Sequence, residues 1–104
     1  MPTNEQLYDE ADRLKDAGKL EEAAAKLNEL LAQDANYALA HSALAVVYTR
    51  LKRHAEAIEH AQRVCQLEPN DAFSYTALSV TYQRAGKIPE AEDAMARART
   101  VQGH

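Results

Sequence analysis

The sequence is poor in residues that interrupt helices and in residues that support covalent chemistry. Among its 104 residues there are three glycines, three prolines, one cysteine and no tryptophan. So few helix breakers predict a mostly helical chain. Because Cys65 is the only cysteine, an intramolecular disulfide is excluded. A lone thiol in an alanine-rich segment is most simply a small buried hydrophobe in a reducing compartment.

The chain also lacks an excess of positive charge and any long apolar run. Its formal net charge is -4 at pH 7, whereas nucleic-acid binding requires a basic face for the phosphates. The segment Met1–Lys15 has no apolar core of the kind found in signal peptides, and no run approaches the length of a membrane span. We therefore expect a cytoplasmic protein that binds neither nucleic acid nor membrane.

A residue pattern recurs three times at a spacing of 34, as in Ala23, Ala57 and Ala91. A period of this length predicts stacked helix pairs, because one pair cannot bury its apolar face alone. The length suits a single domain. That domain is predicted to span 1–104, with repeats at about 4–37, 38–71 and 72–104. Small residues are expected where the helices of a pair cross, namely at Ala11, Ala45, Ala23, Ala57 and Ala91.

Local signals place the helix ends. Thr3 followed by Gln6 predicts a capping box at the first helix, and Gly18 can adopt the left-handed conformation that closes it. Asn36 and Asn70, one period apart, are predicted N-caps of the third and fifth helices.

The last helix differs from its counterparts. Glu92 replaces Ala24 and Ile58, and Arg99 replaces Leu31 and Cys65. These charges predict a polar cap on the stack, with drift at a terminus or a lost capping helix as alternatives.

The middle copy resembles a tetratricopeptide repeat in its signature positions, which are His41, Leu44, Ala45, Tyr48, Ala57, Ala61, Val64 and Pro69. The usual tryptophan is replaced by Leu7, His41 and Tyr75, and only Pro69 remains of the closing prolines. The resemblance covers Asn4 to His104. It implies an all-α fold of three tandem helix-turn-helix repeats in a short right-handed α-solenoid, with a peptide-binding concave face.

In that architecture the first helix of each pair lines the concave groove. The predicted inner stripes are Glu5, Asp9, Asp12 and Asp16 on the first helix, Leu39, Ala43, Val46 and Arg50 on the third, and Phe73, Ala77, Val80 and Arg84 on the fifth. The hydroxyls predicted to flank them belong to Tyr8, Ser42 and Thr76. One wall is thus acidic and two are apolar. A matching ligand would have a basic edge and an apolar edge.

These stripes also have structural explanations. The carboxylates could form a solvated face, with Asp16 paired to Arg50. The apolar side chains are harder to explain in this way, since exposed apolar patches usually mark binding sites. The sequence therefore predicts an interaction scaffold or adaptor that binds a peptide or helix of another protein. The alternative is a self-associating unit, such as a weak homodimer, that docks through the groove or the C-terminal helix around Met95.

Histidines and Cys65 are the candidates for catalysis or metal binding. His41 replaces a core aromatic, so we expect it to be buried. His54 and His60 are six residues apart and lie on different sides of a helix. No carboxylate completes a metal set with His60 and Cys65, Cys65 takes a stacking position rather than an open one, and His104 is a chain end. We expect no enzyme activity, cofactor or metal.

Overall fold

The computed structural model describes residues 1–103, so His104 and the interpretation of it lie outside the described part. The short turns reverse the chain, so that each helix packs antiparallel to the one before it. Within 1–103 no strand forms, as expected from the scarcity of glycine and proline. The helices are α1 (Asn4–Asp16), α2 (Leu20–Gln33), α3 (Ala38–Arg50), α4 (His54–Leu67), α5 (Ala72–Arg84) and α6 (Ile88–Gln102).

The cap at α1 is confirmed, whereas the caps predicted for α3 and α5 are wrong. The Gln6 amide donates to Thr3 Oγ1 at 3.1 Å, and the Thr3 amide donates to Gln6 Oε1 at 2.9 Å. The N-cap of α3 is Tyr37 and that of α5 is Asp71, each one residue after the predicted asparagine.

Two local contacts explain the difference. Asn36 is directed away from the end of α3, because its Oδ1 accepts a hydrogen bond from Arg63 of α4 at 2.7 Å. At α5 the adjacent carboxylate takes the capping role: Asp71 Oδ1 accepts from the Phe73 amide at 3.0 Å. Asn70 is left exposed.

The turn within each helix pair has one residue in the left-handed conformation. Gly18 and Gly86 have φ of 79° and 78°, and Lys52 has φ of 62° at the equivalent position. Glycine reaches this region without steric cost, whereas a lysine side chain strains it. The Gly18 prediction is confirmed. The strained Lys52 follows from the same 34-residue period.

The core lies along the helix crossings. All five crossing alanines are buried, as predicted. Leu44 is fully buried between the first two helix pairs, and Leu78 and Tyr75 are buried between the second and third. Small residues at the crossings let the backbones approach closely, so that larger side chains on either side fill the space at native density.

Two hydrogen bonds repeat from one interface to the next. Asn28 Nδ2 of α2 donates to the Tyr48 hydroxyl of α3 at 3.0 Å, and Gln62 Nε2 of α4 donates to the Tyr82 hydroxyl of α5 at 2.9 Å. Each bond joins the second helix of one pair to the first helix of the next.

The core aromatic position is also tied to the backbone. The Tyr75 hydroxyl donates to the Pro69 carbonyl at 2.9 Å, and His41 Nε2 lies 2.8 Å from the Ala35 carbonyl. The prediction that His41 is buried in place of an aromatic is confirmed. Leu7, the counterpart in the first pair, has no polar atom for such a bond.

The last helix carries charges at two positions where the preceding helix pair has buried apolar residues. Glu92 and Arg99 of α6 are exposed, whereas Ile58 and Cys65 at the equivalent positions of α4 are buried. None of the described helices is long and apolar enough to cross a bilayer.

Candidate functional site

A wide concave surface of the described chain is a groove between α3 and α5, with α4 as its floor. We call it the α3–α5 groove. Its volume is about 720 Å³, within the range of about 300–1,000 Å³ typical of ligand sites. The residues that line it are Leu39, Ser42, Ala45, Val46, Thr49 and Arg50 of α3, Ala61, Val64, Glu68 and Asp71 of α4 and the turn after it, and Phe73, Ser74, Ala77, Val80, Thr81 and Arg84 of α5.

Four large apolar side chains project into this groove rather than into the core. Phe73 is 84% exposed, Leu39 57%, Val46 47% and Val80 42%. They form two equivalent pairs on α3 and α5, and within each pair the residues are seven apart, about two helical turns. Both helices are therefore apolar on two faces, one towards the core and one towards the groove. The predicted exposure of these four side chains is confirmed.

The groove offers few free hydroxyls. Thr49 and Thr81 donate to the Ala45 and Ala77 carbonyls of their own helices at 2.7 and 2.9 Å. Ser42 lines the groove and is exposed. The other two predicted hydroxyls do not line it.

The Thr76 and Tyr8 side chains make contacts outside the groove. The Thr76 hydroxyl donates to the Ala72 carbonyl at 3.1 Å. Tyr8 packs near the Tyr37 ring, with centroids 6.4 Å apart.

The acidic stripe of α1 is not part of the α3–α5 groove. Its members Glu5, Asp9, Asp12 and Asp16 are all exposed, and none of them lines the groove. Asp12, Tyr8 and Ala43 instead border a cleft of only about 10 Å³ between α1 and α3. The α3–α5 groove therefore has the two predicted apolar walls but not the predicted acidic one.

The ion pair suggested between Asp16 and Arg50 is absent from the described residues. Within residues 1–103, the stripe contributes one ion pair, in which Asp12 Oδ1 lies 3.1 Å from Lys15 Nζ on the same helix.

The two ends of the groove differ in charge. Arg50 and Arg84 are the last residues of α3 and α5 and lie at one end. Glu68, the C-cap of α4, and Asp71, the N-cap of α5, lie at the other. Sequence reasoning identified the arginines but not the acidic end or the floor. The floor residues Ala61 and Val64 belong to α4, the second helix of the middle pair. The predicted stripes lie only on the first helix of each pair.

Within residues 1–103, the histidines and Cys65 are not arranged as a metal centre. Among residues 1–103 there is no group of three or more histidine, cysteine, aspartate or glutamate side chains arranged for a metal. Cys65 is buried, and this burial raises the pKa of its thiol, which opposes nucleophilic use. His41 and His60 do approach each other, with their Nδ1 atoms 2.9 Å apart.

Comparisons with known proteins agree with this geometry. A family model described as tetratricopeptide repeat matches residues 8–72, more than half of the chain. No curated protein matches the sequence. Among solved structures, MamA is 22% identical with a TM-score of 0.88, and the match covers 97% of this chain and 59% of MamA.

Two further structures have the same fold. The second tetratricopeptide repeat domain of Spaghetti (RPAP3), solved with the HSP90 peptide SRMEEVD, is 18% identical with a TM-score of 0.83, over 95% of this chain and 92% of that one. A chain of the CopN–Scc3 complex is 15% identical with a TM-score of 0.88, over 97% and 59%. The chain thus spans about three fifths of MamA and of the CopN–Scc3 match.

At these identities the structural likeness concerns the fold. It confirms the predicted architecture of three tandem helix-turn-helix repeats in a short right-handed solenoid. The family match rests on the sequence itself and includes the middle copy of the 34-residue pattern. The chain belongs to the tetratricopeptide repeat family.

Proposed function

We propose that this chain is a protein-interaction module, and that it binds a peptide segment or helix of a partner protein in the α3–α5 groove. The observation that carries the proposal is the exposure of Leu39, Val46, Phe73 and Val80 in a single concave surface of about 720 Å³. Removing apolar surface from water contributes about 25 cal/mol per Å² of favourable free energy, and these side chains do not make that contribution while they are exposed. A bound segment that covers them recovers it.

Two comparisons support a binding role. The RPAP3 domain was solved with a peptide, and the CopN–Scc3 structure is a complex of two proteins. We extend this kind of role to the present chain because of its groove. We likewise propose binding rather than catalysis, in the cytoplasm.

Self-association is the second candidate. Ile88 of α6 is 50% exposed, whereas Met95 and Val101 pack partly against the core. Among the described residues, α6 thus exposes one large apolar side chain, whereas the groove exposes four.

The test uses peptides selected from a random display library against the protein, followed by titration into the ¹⁵N-labelled chain. Amide shifts should change at the groove residues of α3 and α5. Phe73→Ala should weaken binding by roughly 1–3 kcal/mol, as expected for an exposed anchor that becomes buried.

Ile88→Ala is the matched control, since it also shortens an exposed apolar side chain but lies outside the groove. It should bind as the wild type does. Equal affinity of the folded Phe73→Ala variant, with shifts confined to α6, would contradict the proposal and favour the end helix.

A further inference from the structure

The charges at the ends of the α3–α5 groove select a particular kind of partner segment. We infer that the groove takes an extended partner segment of about six residues, with apolar side chains in its centre, an Asp or Glu carboxylate at the end near Arg50 and Arg84, and a Lys or Arg at the end near Glu68. This inference rests on the function proposed above and specifies its ligand.

The arginines are available to a ligand. Arg50 and Arg84 are exposed, and neither forms an ion pair or donates a hydrogen bond to any of residues 1–103. Their position at helix C-termini favours a cation through the helix dipole, yet that interaction uses none of their N–H donors. Two arginines from neighbouring helices therefore line one end of the groove, and a guanidinium group can hold a carboxylate in a bidentate manner.

At the opposite end, Glu68 is the available acid. Both carboxylate oxygens of Asp71 are already used, since Oδ1 accepts from the Phe73 amide at 3.0 Å and Oδ2 from the Ser74 hydroxyl at 3.4 Å. Glu68 is exposed and makes no ion pair or side-chain hydrogen bond within residues 1–103. A cation on the ligand would therefore meet Glu68, and the fixed charge of Asp71 would add to the attraction.

The distance between the ends sets the length of the segment. From Asp71 to Arg84 the chain advances 13 residues of α-helix, which is about 20 Å at 1.5 Å per residue. An extended peptide advances about 3.3 Å per residue, so six residues span the groove. Alternate side chains of such a peptide point the same way, towards the apolar walls formed by Val46, Phe73 and Val80.

The charge pattern predicts a preference that can be reversed by substitution. Three fluorescent hexapeptides with blocked termini share four apolar central residues and differ in their two end residues. The first has Lys at one end and Glu at the other, the second has Glu at both ends, and the third has Lys at both ends. Fluorescence anisotropy with the wild-type protein should rank the Lys–Glu peptide roughly 3- to 10-fold above the other two, the range expected of a few solvent-exposed ion pairs.

Charge reversal should change that rank order. Arg50→Glu with Arg84→Glu makes both ends acidic, so the two-Lys peptide should bind best. Glu68→Lys should favour the two-Glu peptide. The matched control, Arg13→Glu with Arg99→Glu, changes the net charge as much as the arginine pair does but lies outside the groove, and its rank order should be that of the wild type.

The outcomes separate this inference from the function on which it rests. If all three peptides bind equally and Phe73→Ala weakens them all, the groove binds segments but the charge inference is wrong. If the control reverses the preference as the groove variants do, or if no peptide binds at millimolar protein, the inference is also overturned. A dimer in sedimentation that Phe73→Ala dissociates would assign the groove to a second copy instead.

Discussion

At the scale of single residues, the backbone of Lys52 is strained by its positive φ of 62°. The three turns are equivalent: the amides of Gly18, Lys52 and Gly86 each donate to the carbonyl three residues earlier at 3.0 Å. The geometry is thus imposed by the helix pair and not by the residue. Lys52 must adopt a positive φ that costs an L-residue about 1–2 kcal/mol.

Lys52→Gly is therefore expected to stabilise the protein. The relief of strain exceeds the extra backbone entropy of glycine in the unfolded chain, roughly 0.5–1 kcal/mol, so the net gain should be about 0.5–1 kcal/mol. Urea denaturation followed by circular dichroism measures it. Lys52→Ala removes the same charge while keeping the strained Cβ, and an equal gain in that variant would contradict the backbone explanation.

At the scale of helices, a pair of histidines joins α3 to α4. His41 Nε2 faces the Ala35 carbonyl at 2.8 Å. Because a carbonyl only accepts, Nε2 carries the proton. In neutral His41 the other nitrogen, Nδ1, is then an acceptor for His60 Nδ1–H at 2.9 Å. The contact needs one Nδ1 atom that carries a proton and one that does not, so it is lost when both rings are protonated.

This contact makes stability depend on pH. Burial lowers the pKa of His60 from 6.5, and His41 lowers it further, while Glu59 and Glu56 oppose the shift. The Tyr48 ring also stacks on His60, with centroids 5.7 Å apart. Below about pH 6.5 the unfolded chain binds a proton that the folded chain binds only at lower pH. This contribution is therefore complete above pH 6.5 and is lost as the pH falls towards the pKa of folded His60.

The free energy of unfolding should therefore decrease from about pH 7.5 to about pH 5.5, on either side of the histidine pKa. His41→Tyr should reduce the decrease, because it removes one member of the pair. Its hydroxyl could bond the Ala35 carbonyl as Tyr75 bonds Pro69. His54→Gln, outside the pair, is the control and should keep the wild-type decrease. Equal pH profiles for wild type and His41→Tyr would show that the pair is not responsible.

At the scale of the whole molecule, α6 differs from α4 in the face that corresponds to Ile58 and Cys65. On α4 the face towards the next pair is buried through Ile58 and Cys65, whereas α6 presents exposed Glu92 and Arg99. Burying such charges against another apolar helix would cost several kcal/mol per ion. This face therefore disfavours docking of a further apolar helix.

Glu92→Ile with Arg99→Leu should raise self-association, measured by sedimentation equilibrium as a mass that increases with concentration, because it exposes a contiguous apolar patch. Glu59→Ile with Gln66→Leu is the control, with the same seven-residue spacing on the outer face of α4. Equal association of both variants would indicate nonspecific hydrophobic association rather than docking through the stacking face of α6.

Much of the fold follows from the sequence because it depends on short-range chemistry. The 34-residue period, the capping box at Thr3 and Gln6 and the turn glycine at Gly18 are local patterns, and the structure contains each of them. At Asn70 the competitor is local, since the adjacent Asp71 caps α5. The failure at Asn36 shows the limit: Arg63, which binds Asn36, is 27 residues away along the chain. A capping prediction cannot include such a partner.

The sequence by itself determined the helices, their pairing and the outward exposure of Leu39, Val46, Phe73 and Val80. Only the tertiary structure decided which helices form a groove. The space between α1 and α3 is a cleft of about 10 Å³, and the acidic stripe lies outside the larger space between α3 and α5. The tertiary structure also places Glu68, at the end of α4, at one end of that space, and it brings His41 into contact with His60. Helical periodicity relates residues on one helix, whereas these contacts depend on the distances between helices.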